Sequence, residues 1–356
     1  MPILYIFLAL FLLGILITVH EFGHFFAARL TGIAVKEFSV GFGPTLLKWK
    51  SKKHDTVFFL RPIPLGGYCM YFGDTDDDPL GEKTDDLRNF NRAPVGKRML
   101  SVFAGPLMNF VLAFVVSVGI MAGYGVSPAQ PFVREVESGM PAQQAGLQAN
   151  DIFLTVGDFS IHENSTAGDV SNAISAAQPG APLPVTVLRN GEELSFSVLP
   201  VQVDDGDEPV YRIGISIYSA VPMPISRYIP AAWDSCVHAG GLILSSLGRL
   251  LTTGEGIQDT AGPIGIVHMV AEQTRRGGLE IFLTMMVVIS INLGLFNLLP
   301  VPALDGSRLI FLMIEAVRRK PVSQRVEARI HMVGLMLLLG MILLFTFRDI
   351  GRIFGA

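Results

Sequence analysis

Residues 3–24 read ILYIFLALFLLGILITVHEFGH, an apolar run that leads into the motif His20-Glu21-Phe22-Gly23-His24. In a helix, His20 and His24 are four residues apart and therefore lie on one face. The pattern His-Glu-x-x-His is typical of zinc hydrolases, in which the histidines bind the metal and the glutamate acts on water. In soluble hydrolases the motif lies at a water-filled cleft. Here it lies at the end of an apolar run, and Glu21 is the first charged side chain of the chain. The motif therefore predicts zinc chemistry inside a membrane.

Composition is typical of an integral membrane protein. Half of the 356 residues are hydrophobic, 16% are charged, and the mean hydropathy is +0.47. This mean hydropathy is well above that of an ordinary globular protein. A net charge of −4 without a long basic cluster gives no reason to expect nucleic acid as a partner. The two cysteines, Cys69 and Cys236, provide no disulfide framework, and the topology below predicts them on opposite sides of the membrane.

Four segments are long and apolar enough to cross a hydrocarbon layer, which takes about 17 to 25 helical residues. The first is predicted to be retained, because it has neither the basic start nor the small-residue cleavage site of a signal peptide. A shorter uncharged stretch, 235–248, is flanked by charges, and 225–251 is therefore predicted to be an amphipathic helix on the outer surface. The four predicted spans cover residues 3–28, 99–124, 281–301 and 330–347.

The distribution of Lys and Arg predicts the orientation in the membrane. Residues 29–98 contain twelve of them and the short loop 318–329 contains five, whereas the longer stretch 125–278 contains seven. Basic loops stay in the cytoplasm. We therefore expect residues 125–278 and both termini on the extracytoplasmic side.

A catalytic zinc needs a third protein ligand beside His20 and His24. Polar residues in apolar segments are rare and usually functional, and one such region is Asn297-Leu-Leu-Pro300-Val-Pro302-Ala-Leu-Asp305. Two prolines place Asp305 on irregular backbone, which is tolerated at this depth only when it is buried or faces a cavity. Asp305 is the predicted third ligand. The alternatives are a chance match of the first motif and a simple N-cap role for Asp305 before a helix over 307–317.

Residues 126–217 are more polar than the segment before them, and their apolar and polar residues alternate with a period of two. The pattern predicts a strand at 132–136, a short helix at 141–145 closed by Gly146, a strand at 151–156 and a helix over 166–177. Strands at 185–189 and 192–199 flank Asn190-Gly191, a strong hairpin signal. This order resembles a circularly permuted bacterial PDZ domain. The resemblance implies a peptide-binding groove between 132–136 and 169–177, or a domain that screens substrates by size.

The chain as a whole resembles the site-2 protease family of intramembrane zinc metalloproteases, in its bacterial regulator-of-sigma-E protease branch. Beside the first motif and the block from Asn297 to Gly306, the resemblance rests on Gly105-Pro106-x-x-Asn109, residues 63–68 and residues 290–294. It implies a zinc endopeptidase with Glu21 as general base. It also implies that Asn297 contacts substrate or steadies the oxyanion, with a weaker case for Asn109. Hydrogen bonding between helices is the alternative for both asparagines.

The resemblance further implies substrates that are single-span membrane proteins already shortened outside, such as anti-sigma factors or remnant signal peptides. A membrane-associated β-hairpin is expected around 58–68, where we hypothesise that substrate is added as a strand. A catalytically silent scaffold that binds partners through the PDZ domain is the alternative from another class. A transporter is a third reading, since Asn292, Asn297, Asp305 and Arg308 share one broken helix.

The predicted fold is thus a polytopic α-helical protein of the bacterial inner membrane with four transmembrane helices, an inserted PDZ domain and a short β-hairpin. The predicted segments are a first span (1–30), a cytoplasmic loop with the hairpin (31–97), a second span (98–125), the PDZ domain (126–217), a surface helix with linker (218–278), a third span with the third metal ligand (279–318) and a fourth span with the C-terminus (319–356).

Overall fold

A computed structural model of the chain describes residues 3–73, 88–125, 130–162, 165–177, 180–204, 209–218, 225–254 and 261–354. Parts of the predicted cytoplasmic loop and of the linker near 218–278 lie outside these residues. The described helices are α1 (Ile3–Thr31), α2 (Val95–Tyr124), α3 (Pro141–Ala145), α4 (Ala167–Ser175), α5 (Ile225–Thr253), α6 (Pro263–Leu298), α7 (Asp305–Arg318) and α8 (Gln324–Phe354).

The strands of the described residues fall into three sheets. They are β1 (Val35–Phe42), β2 (Leu47–Lys50), β3 (Val57–Leu60), β4 (Ile63–Tyr71), β5 (Phe132–Val136), β6 (Ile152–Val156), β7 (Phe159–Ser160), β8 (Leu183–Arg189), β9 (Glu192–Val198), β10 (Val201–Asp204), β11 (Pro209–Arg212) and β12 (Ile215–Tyr218). The chain divides into two compact units, one formed by Met1–Ile120 with Ala232–Ala356 and the other by Met121–Ala231.

Within the described residues, four helices are long and apolar enough to cross a membrane, namely α1, α2, α6 and most of α8. Helices α1, α2 and α8 contain the first, second and fourth predicted spans, and α6 contains the third as far as Leu298. In the first unit, α1 packs against α6 through a stripe that includes Ala9, Leu12 and Leu16, all fully buried. Apolar side chains elsewhere on α1 are exposed, as expected for a helix that faces lipid.

The third span differs in detail from its prediction. Helix α6 begins at Pro263, well before 281, and is interrupted at Gly278, whose φ of 64° and ψ of −149° suit only glycine. It ends at Leu298, because Pro300 and Pro302 follow and cannot supply helical N–H groups. Helix α7 is therefore a separate element that starts at Asp305.

The amphipathic segment predicted over 225–251 is helical, as α5. One side of α5 packs onto α2 and α6, where Cys236, Ala239 and Ile243 meet a cluster around Ala113 and Ile291. Trp233 on another side is exposed. Cys69 and Cys236 are not joined by a disulfide bond, in agreement with the prediction that they do not pair.

The segment at 58–68 is not a hairpin, and that prediction was wrong. Strands β3 and β4 belong to a four-stranded sheet of order β2-β3-β1-β4, in which β1 lies between them. Strand β1 pairs with β3 in parallel and with β4 antiparallel. The apolar pattern of 58–68 is local, whereas the pairing is decided by β1, which comes earlier in the chain. As a result β4 is an edge strand within the described residues.

The second unit contains a sheet of order β12-β5-β6-β8-β9, with β7 attached to β6, and a core that includes Val133, Phe153 and Val170. The predicted elements are confirmed here. Gly146 ends α3 at a φ of 93°, and Asn190 and Gly191 both adopt positive φ in the turn from β8 to β9.

The predicted groove between 132–136 and helix α4 was wrong. Strand β5 pairs on one side with β12 and on the other with β6, so neither of its edges is open. The edge strand beside α4 is instead β12, which the sequence pattern alone did not identify. Within the described residues, β12 rather than β5 is therefore the strand of this unit that has an unpaired edge next to α4.

Candidate metal centre

Three side chains with metal-binding atoms meet in the first unit. His20 and His24 project from α1, and Asp305 is the first residue of α7. Oδ2 of Asp305 lies 3.1 Å from Nε2 of His20 and 3.3 Å from Nε2 of His24, and the two Nε2 atoms are 3.2 Å apart. Both histidines are buried. Among the described residues this is a group that could hold a metal ion.

The close approach of α1 and α2 fixes the position of His24. A Cβ on Gly23 would lie 2.2 Å from the carbonyl oxygen of Ala104, and a Cβ on Gly105 would lie 2.3 Å from Nε2 of His24. Glycine at both positions is therefore required for this helix contact. The Nδ1–H of His24 donates to the carbonyl oxygen of Ser101 at 2.9 Å, which leaves a lone pair on Nε2.

The loop between α6 and α7 places the carboxylate of Asp305. A Cβ on Gly306 would lie 2.2 Å from the carbonyl oxygen of Leu299, so the chain doubles back tightly at this point. Ala303 has a φ of 76°, and its N–H donates to Nδ1 of His331 on α8 at 3.0 Å. The N-cap of α7 is Leu304, without a side-chain cap. The alternative in which Asp305 is the N-cap was therefore wrong.

Helix α7 is also held to α2. The guanidinium of Arg98 binds Glu315 through both of its terminal nitrogens, with one N–O distance of 3.1 Å, and its Nε donates to the carbonyl oxygen of Ala93. The side chain of Arg98 is 8% exposed. A two-pronged, buried ion pair of this kind restricts the orientation of both helices.

Glu21 lies beside the cluster at a cavity of about 280 Å³. The backbone of Cys69 in β4 hydrogen-bonds its carboxylate. The glycine at position 67 leaves space for the Glu21 side chain, because a Cβ there would lie 3.3 Å from Cγ of Glu21 and 2.8 Å from the carbonyl oxygen of Ser39. The cavity is lined by His20, Glu21, His24, Tyr68, Cys69, Tyr71, Val102, Asn297, Ala303, Leu304, Asp305 and Arg308.

The two predicted asparagines have different surroundings. Asn297 lines the cavity, so it is placed where a bound molecule could reach it. Asn109 is fully buried and is absent from the cavity lining, and its Nδ2 lies 3.1 Å from Nδ1 of His20. A contact between Asn109 and a molecule in the cavity has no support in this geometry.

Tyr68 and Arg308 are among the cavity residues that sequence reasoning did not assign to a protease site. Burial, together with the Glu37 carboxylate that accepts its hydroxyl at 2.7 Å, raises the pKa of Tyr68, so it stays a neutral hydrogen-bonding group. Arg308 lies over the ring of Phe90, 4.3 Å from its centroid. The only sequence signal for Arg308 was its place in the broken helix.

Comparisons with known proteins identify a family to which the chain is similar. A model of peptidase family M50 matches residues 8–341. A putative zinc metalloprotease of Mesorhizobium japonicum is 33% identical over 350 residues, covering 93% of this chain and 94% of its own length. One of Clostridium perfringens is 34% identical over 351 residues, covering 98% of each chain. The zinc metalloprotease RasP of Oceanobacillus iheyensis is 29% identical over 421 residues, covering 96% and 97%.

Among solved structures, the PDZ domain of an SdrC-like protein from Listeria innocua aligns with 28% of this chain and 99% of its own length, at 19% identity and a TM-score of 0.21.

The helix contact at Gly105 leads to a test of the cluster. We expect Gly105→Ala to lower the metal content of the purified protein to well below one ion per chain, because the added methyl group would overlap Nε2 of His24. Gly119→Ala is a matched control on the same helix, since a Cβ there meets no atom within 4 Å. Elemental analysis of both variants measures the effect. Full metal content in Gly105→Ala would show that the contact does not position His24.

Proposed function

The chain belongs to peptidase family M50, and on that premise we propose that it is a zinc metalloprotease that hydrolyses peptide bonds within membrane-spanning segments of its substrates. The observation that carries the proposal is the meeting of His20, His24 and Asp305 beside Glu21 on helices of a membrane protein. Relatives that match the chain over nearly its whole length are named zinc metalloproteases.

The three side chains fit a zinc ion. Tetrahedral zinc with bonds of about 2.0–2.1 Å separates its ligand atoms by roughly 3.3 Å, and the three separations here are 3.1, 3.2 and 3.3 Å. Oδ2 of Asp305 is buried without a satisfactory hydrogen bond, as expected for an atom reserved for a metal. Two neutral histidines and one carboxylate form a common catalytic zinc set that leaves one position open.

Zinc at this position would activate water as a nucleophile and polarise the scissile carbonyl. The carboxylate of Glu21, oriented by the backbone of Cys69, takes the proton of the attacking water and returns it to the leaving nitrogen. Asn297 faces the same cavity, where its amide can donate to the oxygen of the substrate carbonyl as negative charge develops.

A helical substrate must be unwound before its peptide bonds can be attacked, and β4 offers a place for the extended chain. One edge of β4 has no strand partner within the described residues, and the Cys69 backbone on that strand reaches Glu21. We propose that the substrate pairs with this edge as an added strand. The catalytic base and the substrate would then be aligned by the same strand.

We further propose that the second unit is a PDZ domain on the extracytoplasmic side of a bacterial inner membrane, with both chain termini on that side. The excess of Lys and Arg in 29–98 and 318–329 supports this orientation. The edge of β12 beside α4 has no strand partner within the described residues, which favours peptide binding over size screening alone. Substrates would be single-span proteins already shortened outside, such as anti-sigma factors or remnant signal peptides.

The scaffold and transporter alternatives have weaker support. A silent scaffold would have no need of a buried three-ligand cluster with an adjacent glutamate. A transporter could use polar groups on the broken helix, but both histidines of the cluster lie on α1, with spacing that suits a metal.

Replacing the proposed general base separates catalysis from metal binding. Glu21→Gln should lower cleavage of a transmembrane model substrate by roughly 10²-fold or more, with zinc content unchanged because Glu21 is not a ligand. Cleavage in liposomes and elemental analysis measure the two effects. Equal activity of the variant and the wild type would end the protease proposal.

Strand addition at β4 is tested by removing one backbone donor. Leu65→Pro should reduce cleavage without loss of zinc, because proline has no N–H to give to an added strand. Leu65→Ala keeps the N–H and is the matched control, which should cleave close to the wild-type rate. Full activity in Leu65→Pro would exclude pairing at this position.

The role of the second unit is tested by replacing residues 128–217 with a short Gly-Ser linker. Recruitment predicts a loss of cleavage of shortened substrates, because the second unit no longer binds them. The measurement compares shortened and full-length substrates in one membrane preparation. New cleavage of full-length substrates would instead favour size screening.

A further inference from the structure

We propose that Asn109 is a positioning residue for the metal ligand His20. Its amide oxygen accepts the Nδ1–H of His20 and thereby directs the lone pair of Nε2 to the metal. The inference rests on the proposed zinc site and adds a residue that touches neither substrate nor metal.

The surroundings of Asn109 on α2 support this role. Its side chain is 0% exposed, and its amide lies against the imidazole of His20, with Nδ2 3.1 Å from Nδ1. Oδ1 of Asn109 is buried without a hydrogen-bond partner. The hydroxyl of Ser290 on α6 donates to the backbone carbonyl of Asn109 at 2.7 Å, so the backbone at this position is tied to a second helix.

The chemistry of the ring decides which end of the amide must face it. With Nδ2 toward the ring, the amide donates to Nδ1, and the single proton of neutral His20 is on Nε2, the atom 3.1 Å from Asp305. Metal binding requires the other tautomer, with a lone pair on Nε2 and the proton on Nδ1. A half-turn of the amide brings Oδ1 to Nδ1, where it accepts that proton and also gains the partner it lacks.

His24 and His20 differ in the group that lies at Nδ1, and the difference explains why a side chain is needed beside His20. His24 has the backbone carbonyl of Ser101 at its Nδ1, an acceptor that fixes one tautomer permanently. His20 has the side chain of Asn109 in the corresponding place. The orientation of His20 therefore depends on one replaceable amide, and the effect of replacing it can be measured on metal binding directly.

The test compares two near-isosteric variants of the full-length protein in detergent. Asn109→Leu removes the acceptor and should weaken zinc binding about 10- to 100-fold, the usual effect of losing such a partner. Asn109→Asp keeps an oxygen acceptor and should bind zinc within about threefold of the wild type. Zinc affinity is measured by competition with a chelator. The visible spectrum of the Co²⁺-substituted protein should change in Asn109→Leu and match the wild type in Asn109→Asp.

Ser117→Ala, two turns away on the same buried face of α2, is the control for loss of a buried polar group. It should bind zinc as the wild type does. If Asn109→Leu fails to fold, as judged by its thermal unfolding without metal, Asn109→Ala replaces it with the same expectation. Wild-type zinc affinity in the variant without an acceptor would overturn the inference, as would an equal loss in Asn109→Asp.

These outcomes differ from a failure of the proposed function. If the wild type binds no zinc, or Glu21→Gln cleaves as fast as the wild type, the protease proposal fails. If the wild type binds zinc and depends on Glu21, while Asn109→Leu binds zinc equally well, only the role of Asn109 fails.

Discussion

The arrangement of the site depends on the contact between α1 and α2. In a lipid environment, helices associate through close packing rather than through exclusion of water, and small residues allow that packing. Gly23 and Gly105 are placed where any Cβ would overlap the backbone of Ala104 or the ring of His24. The contact brings the carbonyl of Ser101 and the amide of Asn109 to the Nδ1 atoms of the two histidines. The contact between α1 and α2 thus provides the groups that lie against both histidine ligands.

The third ligand requires the opposite feature, a break in a helix. Backbone N–H and carbonyl groups freed at membrane depth must find partners in the protein. The N–H of Ala303 finds one in His331, which also holds a residue in a left-handed conformation that ordinarily costs about 1–3 kcal/mol. Gly334 on the same helix allows Pro302 to approach, since a Cβ there would lie 2.3 Å from Cβ of Pro302. Helix α8 therefore supports Asp305 although it contributes no ligand.

Local sequence patterns predicted the features that depend on local spacing. The four-residue separation of His20 and His24 predicted the shared helix face, and the two prolines before Asp305 predicted irregular backbone at that position. Asp305 was assigned to the histidines by the need for a third ligand, but strand pairings between distant segments were missed, because no local pattern encodes them. The hairpin at 58–68 was wrong since β1 lies between β3 and β4, and the groove was misplaced since β12 pairs with β5 from about 80 residues away. The ion pair of Arg98 and Glu315 joins residues 217 positions apart and had no sequence signal.

The position of β4 links the chemistry to the recognition of substrate. Gly67 lies between the carbonyl of Ser39 in β1 and the side chain of Glu21, so no larger residue fits between the sheet and the catalytic helix. Cys69, two residues later, supplies the backbone hydrogen bond to Glu21. A displacement of β4 would therefore alter the orientation of the proposed base as well as the edge proposed for substrate pairing. An extended substrate that stabilises β4 in its observed position would also stabilise the productive orientation of Glu21, so binding and proton transfer would be coupled through one strand.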